Sequence, residues 1–235
     1  MNPTLPDHLL AALLVVGFPV YAARSYRSFV AAVRAGVPGV RLQEYVITMV
    51  LHWTLVGVTL LLWWQAARPW SSLGLAVPTG PRSVAGLVIM GLVIVLLAYQ
   101  WMAIQRLDAK GFEGLAAQVE PVRELMPHTR AEYRVFQALS ITAGVCEEVL
   151  YRGYLIWYLA TGSGRWPAVL VAGVVFGIAH FYQGKAGVLK TGVIGVLAGV
   201  LYASTGSLLW SMVAHAAIDL QGGAIGWRVV GKRAM

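Results

Sequence analysis

Six side chains in the second half of this 235-residue chain have the types and spacings that chemistry needs. Glu147, Glu148 and Arg152 lie in one apolar segment, His180 closes the next, and His215 and Asp219 lie in the last. An ionised side chain at the centre of a bilayer helix costs about 2.5 to 3.5 kcal/mol on insertion scales, so such groups face a protein interior and carry function. Glu148 and Arg152 are four positions apart and share a helical face within ion-pair reach, while Glu147 points about 100° away. One carboxylate is thereby neutralised and the other is left as a candidate general base for water. The plainer reading of this segment is a buried Glu-Arg pair that fixes helix packing beside a wet cavity. His215 and Asp219 are also four apart. Two histidines and a carboxylate from separate helices can converge on one water or on one divalent metal such as zinc, with His180, His215 and Asp219 as its ligands. His52, alone in its segment, reads as a hydrogen-bonded packing residue. Cys146, the only cysteine, reads as a small buried core residue rather than a thiol nucleophile.

The elements that must position these groups follow from composition. A hydrophobic content of 58%, a charged content of 12% and a mean hydropathy of +0.69 exclude a soluble globule. The expectation is an all-α, polytopic transmembrane helical bundle. Seven apolar runs are readable, at residues 9–23, 45–64, 83–102, 135–160, 166–181, 188–203 and 208–230, of which the first and fifth are short enough for a tilted or re-entrant placement. The first run follows Asp7 without a basic flank, so it reads as a span and not as a cleavable signal.

Fourteen basic residues fall in alternate loops and the tail, including Arg24, Arg34, Arg123, Lys185 and Lys232, against three, Arg68, Arg82 and Arg165, in the other loops. That asymmetry predicts an external N-terminus and a cytoplasmic C-terminus. The net charge of +8 is spread over loops and forms no continuous patch, so no nucleic-acid partner is expected. Three regions result: spans in 1–104, a cytoplasmic loop over 105–134, and a helical core over 135–235. The loop is readable either as amphipathic helices broken near Pro121 and Pro127 or as a solvated connector. Gly173, Gly177, Gly192, Gly195 and Gly199 predict close helix packing in the core.

The motifs Glu147-Glu148-x-x-x-Arg152, Phe176-x-x-x-His180 and His215-x-x-x-Asp219, in that order, resemble those of the CPBP family of intramembrane proteases, which includes the type II CAAX prenyl proteases and the Abi proteins. The likeness spans roughly 127–221, with Pro127-x-Thr129-x-x-Glu132 ahead of it and Leu73-Gly74-Leu75 before the third span. It implies hydrolysis of a peptide bond in a membrane-associated protein or peptide, such as a CAAX-like tail, a sorting tail or a peptide precursor, by a multi-pass protein of the bacterial inner membrane. Glu147 and His180 would activate water, Glu148 and Arg152 would hold the site, and His215 and Asp219 would orient substrate or stabilise the oxyanion. The family has been described both as glutamate-dependent and as metal-dependent, and the resemblance permits no cofactor or a zinc-like ion. Many members have Asn at the position of Asp219, and an ionised Asp only accepts hydrogen bonds, so here it is protonated, orients His215 or binds metal. A nonenzymatic immunity or scaffold protein of the same fold is the alternative. A proton-coupled transporter is disfavoured because no inverted repeat is evident. One geometric demand is set in advance: Glu147 falls deep in its run and His180 near the end of its own, so some element must bring them level.

Overall fold

In hydrocarbon every backbone N–H and C=O must be paired within the chain, and apolar runs of this length do so as helices. The computed structural model, which describes residues 2–76 and 79–231, is an all-α membrane bundle with no strand among the described residues. Lys232 and Arg233 of the basic tail lie outside the described residues. Helices α1 (Leu5–Ala12) and α2 (Phe18–Arg34) are joined without a break by a wider π turn at Leu13–Gly17, and α3 (Val40–Gln65) returns beside them. After a short turn come α4 (Pro81–Gln105) and α5 (Ala109–Val119). The chain then enters α6 (Arg130–Glu147), which passes through a π-helical stretch at Glu148–Leu155 into α7 (Ile156–Ser163). The last three are α8 (Arg165–Ala179), α9 (Gly184–Thr205) and α10 (Leu209–Val230).

Among the described residues, four helical segments are long and apolar enough to cross a membrane: Leu5–Arg34, Val40–Gln65, Pro81–Gln105 and Phe181–Thr205. The other three of the seven apolar runs fall on the helices that carry the candidate site residues. The run at 135–160 holds Glu147, Glu148 and Arg152, that at 208–230 holds Asp219 and Arg228, and α8 is a short apolar helix. Helix α4 is the most lipid-like, with Val84, Leu87, Val88, Leu92, Val95 and Leu96 each more than half exposed to what would be hydrocarbon.

Burial is concentrated around the π-helical stretch, where all eight residues of Glu148–Leu155 are buried. Two close approaches hold the later helices against it. A Cβ on Gly177 would sit 2.7 Å from the Val188 carbonyl oxygen, and one on Gly144 would sit 2.7 Å from the Ala216 backbone nitrogen, so α8 meets α9 and α6 meets α10 backbone to backbone.

Alternate loops gather at opposite ends. At one end Arg34 pairs with Glu124 at 2.9 Å, Tyr45 donates to the Leu125 carbonyl at 2.6 Å, and Tyr26 stacks near Tyr182. The loop over 105–134 is thus no solvated connector: Val119 and Met126 are buried with Tyr45, Phe136, Val229 and Val230, and Phe112 and Leu115 pack on them. Its break falls at the turn Glu120–Leu125, which contains Pro121. Thr129 and Glu132 then start α6 as a capping box, the Thr129 hydroxyl accepting from Glu132 N at 3.2 Å and the Glu132 carboxylate from Thr129 N at 3.0 Å.

At the opposite end Gly74, in a left-handed conformation with φ of 85°, turns the chain so that its carbonyl accepts from Leu208 N at 2.9 Å. There Arg68 is not a loop charge in water. It is buried and bidentate to Asp7, at 2.8 and 2.6 Å, and its guanidinium lies 4.3 Å from the Trp157 ring centre.

Candidate active site

The depth problem is solved by the shortness of α8. At 1.5 Å per residue, Glu147 lies about 24 Å back from the end of α7 and His180 lies about 22 Å forward from the start of α8, so the two are level. A helix reaching about 22 Å falls short of the roughly 30 Å hydrocarbon core, and α8 therefore delivers its C-terminal residue inside the bundle instead of at its edge. The chain turns there through Phe181–Gln183 and α9 leaves.

Three histidines surround Glu147. His180 Nε2 is 3.9 Å and His215 Nε2 is 3.7 Å from Glu147 Oε2, while His52 Nε2 is 3.1 Å from Glu147 Oε1. Each ring is pinned from behind through its other nitrogen. His52 Nδ1 lies 2.9 Å from the Thr48 carbonyl oxygen, His180 Nδ1 lies 2.8 Å from the Phe176 carbonyl oxygen, and His215 Nδ1 lies 2.7 Å from Glu148 Oε1. These oxygens only accept, so all three Nδ1 atoms carry hydrogen and the three Nε2 atoms are aimed at the carboxylate. A bare lone pair 3.1 Å from a carboxylate oxygen is repulsive, so one proton is shared between His52 and Glu147. Glu147 Oε2 is buried and makes no hydrogen bond among the described residues.

Glu148 is fully buried and is compensated from two sides, by Arg152 Nη1 at 2.9 Å and by the His215 ring. Arg152 also donates to the Gly195 carbonyl at 3.4 Å, and its guanidinium stands 4.1 Å from the Phe176 ring centre. Phe176 in turn lies 4.5 Å from the His180 ring and 5.8 Å from the His215 ring, so one aromatic side chain spaces the cation and both histidines. Asp219 Oδ2 is 3.6 Å from His215 Nε2. Side-chain exposure rises from 0% at Glu148 and 9% at Glu147 through 12% at His215 and 15% at His180 to 38% at Asp219, so access to the cluster is from the Asp219 side. Cys146, beside Glu147 in sequence, is sealed in the core.

All six residues singled out in the sequence meet here, and one more joins them. His52 sits on α3, 95 positions from Glu147, and its only sequence signal was being ionisable within an apolar run. The expected ligand set of His180, His215 and Asp219 is not drawn together as a metal site. Among the described residues no group of three His, Cys, Asp or Glu side chains is arranged to hold a metal ion.

Residues 131–221 match the family model described as type II CAAX prenyl endopeptidase Rce1-like. That segment is an Rce1-like domain of the CPBP/CAAX protease family. Comparisons with curated proteins and with solved structures give no match. The Rce1-like domain begins one residue after the start of α6 and ends within α10, and it supplies five of the six side chains around Glu147. His52 comes from outside it. The family implies a CAAX-type intramembrane protease acting on a membrane-associated protein.

Proposed function

We propose that this chain is a multi-pass endopeptidase of a bacterial inner membrane that hydrolyses a peptide bond of a membrane-associated protein or peptide, with Glu147 as the base that activates water. The observation that carries this reading is the convergence of three Nε2 atoms on one buried carboxylate, each ring fixed from behind. The 3.9 Å between Glu147 Oε2 and His180 Nε2 is too long for a direct hydrogen bond and suits a water held by both. That water attacks the scissile carbonyl carbon and its proton passes to Glu147 Oε2. His215, between the carboxylates of Glu148 and Asp219, carries both ring protons and donates Nε2–H to the oxyanion. Collapse of the intermediate breaks the C–N bond, and Glu147 returns the proton to the leaving amine. Glu148 and Arg152 hold His215 in place. Asp219 orients it from the open side, which answers how a residue that only accepts can sit beside an oxyanion. His52, through its shared proton, is a positioning residue for Glu147. No step is routed through a metal.

Substrate approach from the Asp219 side suits a tail entering from the end of the bundle where the basic loops gather, which the charge asymmetry assigns to the cytoplasm. In this reading 1–104 are flanking spans, 105–134 a cytoplasmic amphipathic end cover and 135–235 the catalytic core.

The test compares new protein termini in membranes of cells expressing the native chain and Glu147→Gln at matched levels, with folding checked by detergent elution profile. Termini made only by the native chain, with turnover lowered at least about a hundredfold in the variant, are expected. Identical termini, with a cellular phenotype kept by the variant, would replace this reading by a binding or immunity role.

A further inference from the structure

The molecule has a cavity away from Glu147. It lies at the opposite end of the bundle from the basic loops, where α7 ends, α8 begins and α9 ends. Its volume of about 430 Å³ falls in the roughly 300 to 1,000 Å³ range of ligand pockets. Arg82 and Arg165 line it with the hydroxyl-bearing Ser71 and Ser72, and Ile156 and Trp157 form its apolar side. The two arginines are exposed and reach the same helix end. Arg165 Nη1 lies 3.4 Å from the Ala203 carbonyl oxygen, and Arg82 Nη1 lies 3.7 Å from where a Cβ on Gly206 would be.

Capping of α9 does not account for two guanidiniums. A helix C-terminus carries roughly half a negative charge, which leaves more than one positive charge unbalanced. Among the described residues of the segments that meet at this end, the only carboxylate is Asp7, and Arg68 holds both of its oxygens. The depth of the cavity is marked by exposed tryptophans at the same end, Trp64, Trp70 and Trp166, the residues that sit at headgroup level in a bilayer. An unpaired arginine pair with hydroxyls and an apolar wall matches a phosphate group with hydrocarbon attached, since guanidinium meets phosphate oxygens bidentately.

We propose that this cavity binds a phosphate group at the membrane surface, supplied by an anionic phospholipid headgroup, with Arg82 and Arg165 as its ligands. The binding is independent of the peptidase chemistry, because neither arginine touches the Glu147 cluster. The test measures phosphatidylglycerol retained, relative to phosphatidylcholine, by the purified full chain from mixed micelles, using native mass spectrometry. Variants are Arg82→Gln, Arg165→Gln and their combination, with Arg106→Gln at the other end as control. At about 1 kcal/mol per basic residue near a lipid surface, each site variant should lower retention about fivefold, with the control unchanged. Should the double variant fail to elute like the native chain, the single variants decide. Inorganic phosphate separates the sources: displacement of lipid and raised melting temperature in the native chain alone would identify a free phosphate as the ligand, and no such effect would fix it as a headgroup. Retention by the double variant equal to the native chain, or an equal loss in Arg106→Gln, would overturn the proposal.

Discussion

At the residue scale, His52 fixes how Glu147 is held. A carboxylate with one oxygen held at 3.1 Å by a ring that is itself fixed to Thr48 keeps its other oxygen pointed along one line, toward His180 and His215. Asparagine at position 52 puts its amide near the place of Nδ1, keeping Thr48 but falling short of Glu147, whereas glutamine reaches the place of Nε2 and can donate without sharing a titrating proton. His52→Asn should therefore keep fold and KM and lower kcat roughly tenfold to a hundredfold, the worth of one charge-assisted hydrogen bond at about 1.5 to 3 kcal/mol. The profile of kcat against pH should move with it, and His52→Gln should recover part of the rate. An unchanged pH profile with only a lowered melting temperature would reduce His52 to packing. Glu148 and Arg152 are a different kind of pair: fully buried, they hold His215, and the i,i+4 spacing already announced them.

At the element scale, the short α8 delivers His180, and α5 with its following turn forms an end cover packed on α3, α6 and α10. The cover is tied down by groups that titrate. Burial raises the Glu124 carboxyl, but the hydrogen bond and charge of Arg34 outweigh it and hold the group below its ordinary value of 4.5. Burial, helped by the charge of Arg41, holds the His128 imidazole below its ordinary 6.5. Both groups bind protons more tightly once the cover opens. The stabilisation is then complete above pH 6.5, declines as pH falls below that value while His128 charges in the open form, and declines again below about 4.5 as Glu124 loses its charge. Hydrogen exchange over residues 109–126, corrected for intrinsic rates, should accordingly lose protection between about pH 7.5 and about pH 5, with α9 unaffected. Equal protection across that range would show that apolar packing alone holds the cover.

At the scale of the whole molecule, the N-terminal helix is locked to the core at the end opposite the cover. Asp7 and Arg68 are both buried, and Tyr154 donates to the Asp7 carbonyl at 2.8 Å, so three segments far apart in sequence close on one ion pair. Removing one member strands a buried charge at a cost of about 3 to 5 kcal/mol. Asp7→Asn should lower the melting temperature and free α1, whereas Asp7→Leu combined with Arg68→Met should restore most of the loss. Because the only native cysteine is sealed in the core, a Leu10→Cys reporter gives a clean reading: unreactive in the native chain and reactive in Asp7→Asn. No change in labelling would mean that α1 is held by its apolar contacts.

Helices, their apolar lengths and the pairs at i,i+4 were legible before any fold, because lipid demands local backbone pairing and a helix fixes which neighbours share a face. So was the membership of Glu147, Glu148, Arg152, His180, His215 and Asp219 in one site, since ionisable groups are costly in hydrocarbon unless they meet one another. The glycine spacings likewise announced the close contact of α8 with α9. Other features depended on distance through space. His52 had no carboxylate partner within its own helix, Arg68 looked like a loop charge until Asp7 closed on it, and the two arginines at the end of α9 come from the first turns of α4 and α8, more than 80 positions apart. Local spacing carries information only as far as one helix reaches; the register of separate helices is set by the close packing of their faces. Only that packing placed three imidazoles on one carboxylate and left two guanidiniums without one.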